Sequence, residues 1–284
     1  MPANTHFHGS LGENSGSVSI LLGATVPECA EDIILAETPM DLDDVVDESL
    51  RILAPLAAAK GLFVQVDWGD RVPERVVADA PRLRQCLSQL LHNAIKFTAQ
   101  GGIYVRIRHA GDEDGRAHLR FEVEDSGIGI EPDLMNPFEQ GLGLAGVKKI
   151  VEAMQGEAGF RSNPGHGSLF HFHVLLKRSK SKLTVEAEPI SVLIVAPTPK
   201  IGALWSTCFR RAGARVEKII TLAELKSNST NADFIVVSSA FDLPPLPLPI
   251  LRVGATSAPS QNELSNPLRI AELRRALTRS EQFA

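Results

Sequence analysis

Residues 79–109 read DAPRLRQCLSQLLHNAIKFTAQGGIYVRIRH. Asp79 and Pro81 have the chemistry of a helix start, a carboxylate that can accept an orphan backbone N–H and a proline whose fixed φ suits the first turn. Leu83, Leu87, Leu90, Leu91, Ala94 and Ile95 then recur at helical spacing to about Phe97. Gln100-Gly101-Gly102 makes a turn, and residues 103–109 alternate apolar and polar as a half-buried strand does.

The same mixture extends both ways. Upstream, Leu42, Val45, Val46, Leu50, Leu53 and Leu56 predict a helix closed by Gly61. Residues 63–68 alternate as a strand, and 71–78 form a proline-interrupted connection with a short strand. Downstream, residues 118–124 alternate as a second strand, joined to the first by the charged tip 111–115. A third helix is expected over 144–154, then strands near 157–162 and 168–176. Helices and strands in mixed order, with antiparallel hairpins, imply an α/β sandwich over residues 39–178.

Residues 179–189 are polar and read as a linker. Beyond them Val192-Leu193-Ile194-Val195 is a continuous apolar run, as in a strand buried on both faces. A helix over 201–212, a strand over 216–220, a helix over 222–226, strands over 234–237 and 249–253 and a helix over 270–277 follow. This alternation predicts a small doubly wound parallel sheet over 190–280. Residues 1–38 show no clear period and are expected to be a flexible or degenerate N-terminal segment.

Length and composition agree with a two-domain globular chain: 284 residues, 44% apolar and 22% charged. The net charge of −5 divides into −5 over residues 1–38, −4 over 39–178 and +4 over 179–284. No part is basic enough to imply nucleic-acid binding. No apolar run approaches the roughly eighteen residues of a membrane span, and no basic residue precedes the early run 20–26, so neither a membrane segment nor a secretory leader is expected. Cys29, Cys86 and Cys208 are too dispersed for a disulfide scaffold or a metal site, which fits thiols in a reducing cytoplasm.

Four short segments carry possible chemistry. Asn93 and Lys96 in Leu90–Thr98 share one helix face, where an amide oxygen can ligate Mg²⁺ and an ammonium can neutralise phosphate. Glu124-Asp125-Ser126-Gly127-Ile128-Gly129-Ile130 follows a strand; a carboxylate there can accept from an adenine amino group, and glycines let backbone approach a flat ligand. Gln140-Gly141-Leu142-Gly143-Leu144-Ala145-Gly146 opens a helix whose N–H groups can face phosphate oxygens. Asn163-Pro164-Gly165-His166-Gly167-Ser168 is a tight turn into a strand. Each is a common pattern alone.

In this order and spacing the segments resemble the catalytic ATP-binding domain of sensor histidine kinases. NAIKFT is similar to the family's N box, DSGIG to its first glycine box, Pro137-Phe138-Glu139-Gln140 to its F box and GLGLAG to its second glycine box. The resemblance implies a Bergerat-type sandwich, a mixed sheet with helices on one face, with ATP and Mg²⁺ held between them. It assigns Asn93 to Mg²⁺, Lys96 to the phosphate region, Asp125 to the adenine amino group, and Gly127 and Gly129 to the base. Phe97 and Ile130 would line the base pocket. Gly141, Gly143 and Leu144 would support the phosphates, and Ser168 would help hold Asp125 or its water. The implied partners are other two-component proteins, either a dimerisation and phosphotransfer domain or a response regulator, in the cytoplasm.

The chain departs from the family in three places. Gln89 replaces a frequent Asn. Gln140 runs directly into Gly141, where the family has a longer mobile lid that excludes water on closure. No histidine has the family's phosphoacceptor setting: His6 and His8 lie in a Gly/Ser-rich stretch, while His171 and His173 share a strand face and read as exposed strand residues. Residues 190–280 resemble a response-regulator receiver, with its acidic pair replaced by Ala196 and Pro197, its phosphoacceptor Asp by Ser238 and its Lys by Asn266. Transfer to a carboxylate needs clustered acids to hold Mg²⁺, so a pseudo-receiver is expected. Four prolines over 241–249 also exclude the family's third helix there. Two readings follow: an ATP-binding module of a hybrid histidine kinase passing the γ-phosphoryl to a histidine on another chain or missing region, or a pseudokinase with a pseudo-receiver that acts as a regulatory interaction module.

Overall fold

The structure, a computed structural model, describes residues 33–131, 138, 143–179, 189–227, 230–243, 246, 248–254 and 263–280. The first sheet has seven strands: β1 (Thr38–Asp41), β2 (Phe63–Trp68), β3 (Arg75–Ala78), β4 (Gly102–Glu113), β5 (Arg116–Asp125), β6 (Glu157–Asn163) and β7 (Gly167–Arg178). Their order is β1-β3-β7-β5-β4-β2, with β6 also paired to β7. Most neighbours are antiparallel, but β2 runs parallel to β4, so the sheet is mixed, as the family resemblance implies. Alternation is strict along β5, where Ala117, Leu119, Phe121 and Val123 are fully buried and their neighbours half-exposed.

Three helices pack on the apolar face: α1 (Leu42–Ala59), α2 (Ala80–Phe97) and α3 (Leu144–Ala153). Each end has a physical cause. Asp79 accepts from the Arg82 amide at 3.0 Å and caps α2, with Pro81 in its first turn. The second Asp79 oxygen accepts from the Ala36 amide at 2.9 Å, which ties the segment before β1 to the helix start. Gly61 takes the left-handed φ of +70° just past α1, a conformation that costs a residue with a Cβ about 1 kcal/mol.

The second sheet is all parallel: β8 (Ser191–Val195), β9 (Arg215–Ile220), β10 (Phe234–Ser238), β11 (Ile250–Gly254) and β12 (Glu263–Ser265), in the order β12-β11-β10-β8-β9. Numbered from β8, this is the 2-1-3-4-5 order of a flavodoxin-like, receiver-like sheet. Helices α4 (Pro199–Arg211) and α5 (Ile270–Ser280) accompany it.

Two expectations change. The helix expected over 222–226 is a 3-10 turn, Leu222–Ser227, because a six-residue run is too short to repay α-helix nucleation. His171 and His173 are half-buried rather than exposed: Gly159 on β6 lies under the His171 ring, and Glu157 on the same strand approaches His173 at 3.5 Å. The short strands β1 and β12 carry no alternation long enough to be read in advance.

Replacing Asp79 by Ala removes two accepted amide bonds at the foot of α2. A loss of about 1–2 kcal/mol in urea unfolding is expected, and the conservative Asp79→Asn change should recover part of it.

Candidate functional site: a buried carboxylate between α2 and a glycine-rich loop

Asp125 ends β5 with 5% of its surface exposed. Its Oδ1 accepts from the Gly127 amide at 2.8 Å, so the carboxylate folds the following loop back upon itself. A Cβ on Gly127 would lie 2.5 Å from the Phe97 carbonyl oxygen and 2.7 Å from Asp125 Oδ1, closer than real side chains approach. Glycine is therefore required where this loop meets the end of α2. The Ile128 amide also donates to the Phe97 oxygen, at 3.4 Å.

The turn between β6 and β7 closes the other side. Gly129, with φ +73°, is pressed against Asn163, and the Gly165 amide donates to the Ile128 oxygen at 2.7 Å. Gly167, with φ +98°, has room for no Cβ, which would fall 2.0 Å from the Asp125 carbonyl oxygen. Ser168 pairs across the sheet with Asp125, and its hydroxyl lies 2.9 Å from that of Ser162. The Ser162 hydroxyl oxygen also accepts from the Ile130 amide at 2.8 Å. Asp125, Gly127, Gly129, Ile130, Phe97 and Ser168 thus form one connected cluster.

Asn93 lies one turn before Phe97 on α2, with 4% exposure. Gln89, one turn earlier, donates through Nε2 to Asn93 Oδ1 at 3.5 Å. The same Nε2 lies 2.5 Å from where a Cβ on Gly143 would be. Gly143 caps α3 with φ +73°, followed by fully buried Leu144. Gln89 therefore joins the amide of the N-box-like segment to the second glycine segment. Gly141 lies outside the described residues, as do residues 132–137, 139, 140 and 142. Phe138 is 4% exposed and meets Phe160 and Phe170 at ring separations of 6.3 Å each.

The electrostatics are uneven. Burial pushes the Asp125 carboxyl above its ordinary 3.8, against the lowering effect of the Gly127 and Ser168 amides. Lys96 is exposed, its ammonium 5.1 Å from the Phe97 ring centre. Burial, with Lys96 and Lys60, lowers the His92 pKa. Lys60 donates to the Ile95 and Lys96 carbonyls at 2.6 and 3.2 Å, satisfying the C-terminal end of α2. Ser162 and Lys60 were not singled out in the sequence. Only the serine had a signal there, its place opposite Ser168 across a tight turn.

Among the degenerate receiver positions, Ala196 and Ser238 are buried and Pro197 is exposed. Asn266 precedes a cis peptide bond to Pro267, and its side-chain oxygen accepts from Gln65 Nε2 at 3.2 Å.

Residues 78–178 match the family model of histidine kinase-, DNA gyrase B- and HSP90-like ATPases. Over these residues the chain is similar to the ATPase domain of histidine kinases. The chain is 33% identical over 164 residues to the peroxide stress-activated histidine kinase mak2 of Schizosaccharomyces pombe, covering 51% of this chain and 7% of that protein. It is 32% identical over 160 residues to the signal transduction histidine-protein kinase BarA of Escherichia coli K12, covering 51% and 17%. With the sensory/regulatory protein RpfC of Xanthomonas campestris the identity is 35% over 189 residues, covering 59% and 26%. The chain therefore spans about a quarter or less of the length of these relatives. The crystal structure of full-length ShkA in complex with AMPPNP has a similar fold, at a TM-score of 0.67 and 24% identity, covering 92% of this chain and 59% of that one.

The raised Asp125 pKa has a definite sign. The stability this group contributes is full below pH 3.8 and is lost as pH rises through its higher folded value. Asp125→Asn keeps an acceptor for the Gly127 amide and removes the desolvated charge. Its melting temperature is expected to exceed that of the wild type at pH 7 and to converge with it near pH 4, by scanning calorimetry. A less stable Asn variant at pH 7 would count against desolvation as the dominant effect.

Proposed function

We propose that residues 39–178 bind Mg-ATP and that the chain is the ATP-binding module of a two-component hybrid histidine kinase. Residues 179–189 would then link it to a pseudo-receiver over 190–280. The observation that carries this reading is Asp125: a buried carboxylate, held by the Gly127 amide, at the foot of a loop packed against α2. Such a group can accept from an exocyclic amino group in a site with little competing water. That chemistry selects adenine over guanine, which carries an oxygen at the corresponding position.

The other residues fall into roles along α2. Phe97 and Ile130 flank the base, with Gly127 and Gly129 allowing close approach. Asn93 offers its amide oxygen to Mg²⁺, and Gln89 orients that amide from one turn away. Lys96, free to swing into solvent, neutralises phosphate charge, and the backbone around Gly141, Gly143 and Leu144 supports the phosphates. Mg²⁺, when bound, would supply positive charge against the phosphate oxygens. The γ-phosphoryl acceptor is a histidine on a dimerisation and phosphotransfer domain, supplied by another chain or by a region beyond this sequence. A cytoplasmic location follows from the proposed use of ATP, and among the described residues no helix is long and apolar enough to cross a membrane.

A regulatory module that binds nucleotide without turnover is a second reading. One observation favours it: Ala196, Pro197 and Ser238 leave the receiver-like sheet without the carboxylates that would receive phosphate.

Calorimetric titration with Mg-ATP tests the site. The wild type is expected to bind, and Asp125→Asn to lose affinity by at least about tenfold, ~1.4 kcal/mol. In that variant the Gly127 amide holds the side-chain oxygen, and the side-chain NH₂ meets the adenine NH₂ donor to donor. Asn93→Ala should abolish the difference between ATP affinities measured with Mg²⁺ and with a chelator. No heat from the wild type would overturn the nucleotide reading. Incubation with labelled ATP and a separate phosphotransfer domain then divides the two readings: label on its histidine supports the kinase, and binding without label supports the regulator.

A further inference from the structure

The outer edge of β2 is the telling feature. This strand ends the first sheet, and among the described residues it pairs only with β4. Its sequence, FVQVDW, is apolar enough to recruit another strand if its free backbone groups were open. They are not open. The Trp68 amide donates to Thr207 Oγ1 at 3.2 Å, and the Cys208 thiol lies 3.7 Å from the Val66 carbonyl oxygen. Both partners belong to α4 of the receiver-like unit. The Thr207 hydroxyl gives its own proton to the Leu204 carbonyl at 2.8 Å, so its lone pairs are free to accept from β2.

Charged groups fasten the same surface. Asp43 on α1, with 2% of its side chain exposed, receives Arg211 from α4 at 2.5 Å and Arg274 from α5 at 2.8 Å. Arg211 also donates to the Val72 and Pro73 carbonyls at 2.7 and 2.9 Å and lies 4.1 Å from the centre of the Trp68 ring. Asp47, one turn along α1, accepts from the Ile270 and Ala271 amides at 3.0 and 2.7 Å, and so caps α5 from the other sheet's helix layer. Removing one member of a buried, hydrogen-bonded ion pair leaves an uncompensated charge, so Asp43 and Arg211 are tied to each other's presence. The buried side chains agree: Trp205, Phe209, Ile270, Leu273 and Leu277 belong to one continuous apolar core with Leu50 and Val66.

We propose that the receiver-like unit serves as a built-in edge cap for the nucleotide-binding sheet. Helix α4 takes the place a further strand would occupy beside β2, and the two units unfold together. The occupant it excludes is an extended segment of another chain, most simply β2 of a second copy. This gives the degenerate receiver a role that needs none of its lost acids. Positions 196, 197 and 238 carry no carboxylate, while Thr207, Cys208, Arg211, Arg274 and Asn266 all reach the first sheet or its helices.

The two tryptophans stand on opposite sides of this contact, Trp68 on β2 and Trp205 on α4. In the full chain, Trp205→Phe and Trp68→Phe leave one reporter on each side. Their urea transitions, followed by fluorescence, are expected to coincide; two separated transitions would overturn the common unfolding unit. The cap itself is read by hydrogen exchange. Thr207→Val removes the acceptor of the Trp68 amide without disturbing the ion pairs, and should speed exchange at Trp68 by about tenfold or more while β5 amides keep their protection. Arg274→Ala, which loosens the half-exposed arm of the latch, should add concentration-dependent self-association in sedimentation. Unchanged Trp68 exchange in Thr207→Val, or a strictly monomeric Arg274→Ala protein whose β2 amides have lost protection, would sink the proposal.

Discussion

Burying the Asp125 carboxylate costs solvation free energy, and the arrangement around it offsets that cost. The Gly127 amide satisfies one oxygen, which forces the chain into a turn so tight that its next backbone contact is the Phe97 carbonyl. Gly129 and Gly167 are then pressed by Asn163 and by the Asp125 carbonyl. The Ser162–Ser168 hydroxyl pair closes the ring by holding the Ile130 amide. Gly127, Gly129 and Gly167 are crowded mainly by main-chain atoms, so glycine is required wherever the end of α2, the end of β5 and the β6–β7 turn converge at one place.

The second sheet obeys a different constraint. One of its faces merges with the core beneath α1 and β2, and the other holds a smaller cluster around Leu193, Val195, Ile235 and Val237. A free-standing doubly wound domain covers both faces with its own helices. Here the 3-10 turn Leu222–Ser227 stands where a helix would be, and the chain from Phe241 to Leu243 continues without one. The unit makes up part of that deficit through the first sheet, which accounts for buried ion pairs at its junction rather than at its surface.

How much of this was legible in the sequence depends on the range of each cause. Helix α2 was readable from Asp79, Pro81 and the leucine spacing because caps and periodicity are local. The strands β4, β5 and β7 were readable because each has one dry face. The position of Asp125 followed from a strand running into a glycine-rich turn, and the family resemblance supplied its neighbours. Asp43 and Asp47 were illegible: on α1 they look like ordinary acidic residues of a first turn and a solvated face. Their burial depends on arginines and amides more than 160 residues away. The six residues Leu222–Ser227 were misread because a short amphipathic run cannot by itself distinguish 3-10 from α.

The end of α2 shows how the two kinds of cause meet. A helix C-terminus carries partial negative charge on its unpaired carbonyls, which favours a cation and opposes phosphate. Lys60, from just beyond α1, places its ammonium on the Ile95 and Lys96 carbonyls and removes that opposition locally. With its pKa lowered, His92 adds little positive charge at neutral pH, since burial and the two lysines disfavour its cation. Among the described residues, the cations acting against the His92 charge at this end of α2 are the two lysines. Lys60 is fixed to the backbone, and Lys96 is exposed beside the Phe97 ring. On the proposed reading this division matters. Phosphate would then meet Lys96 at a helix end whose carbonyls Lys60 already satisfies, and Asn93, one turn earlier, would offer its amide oxygen to Mg²⁺.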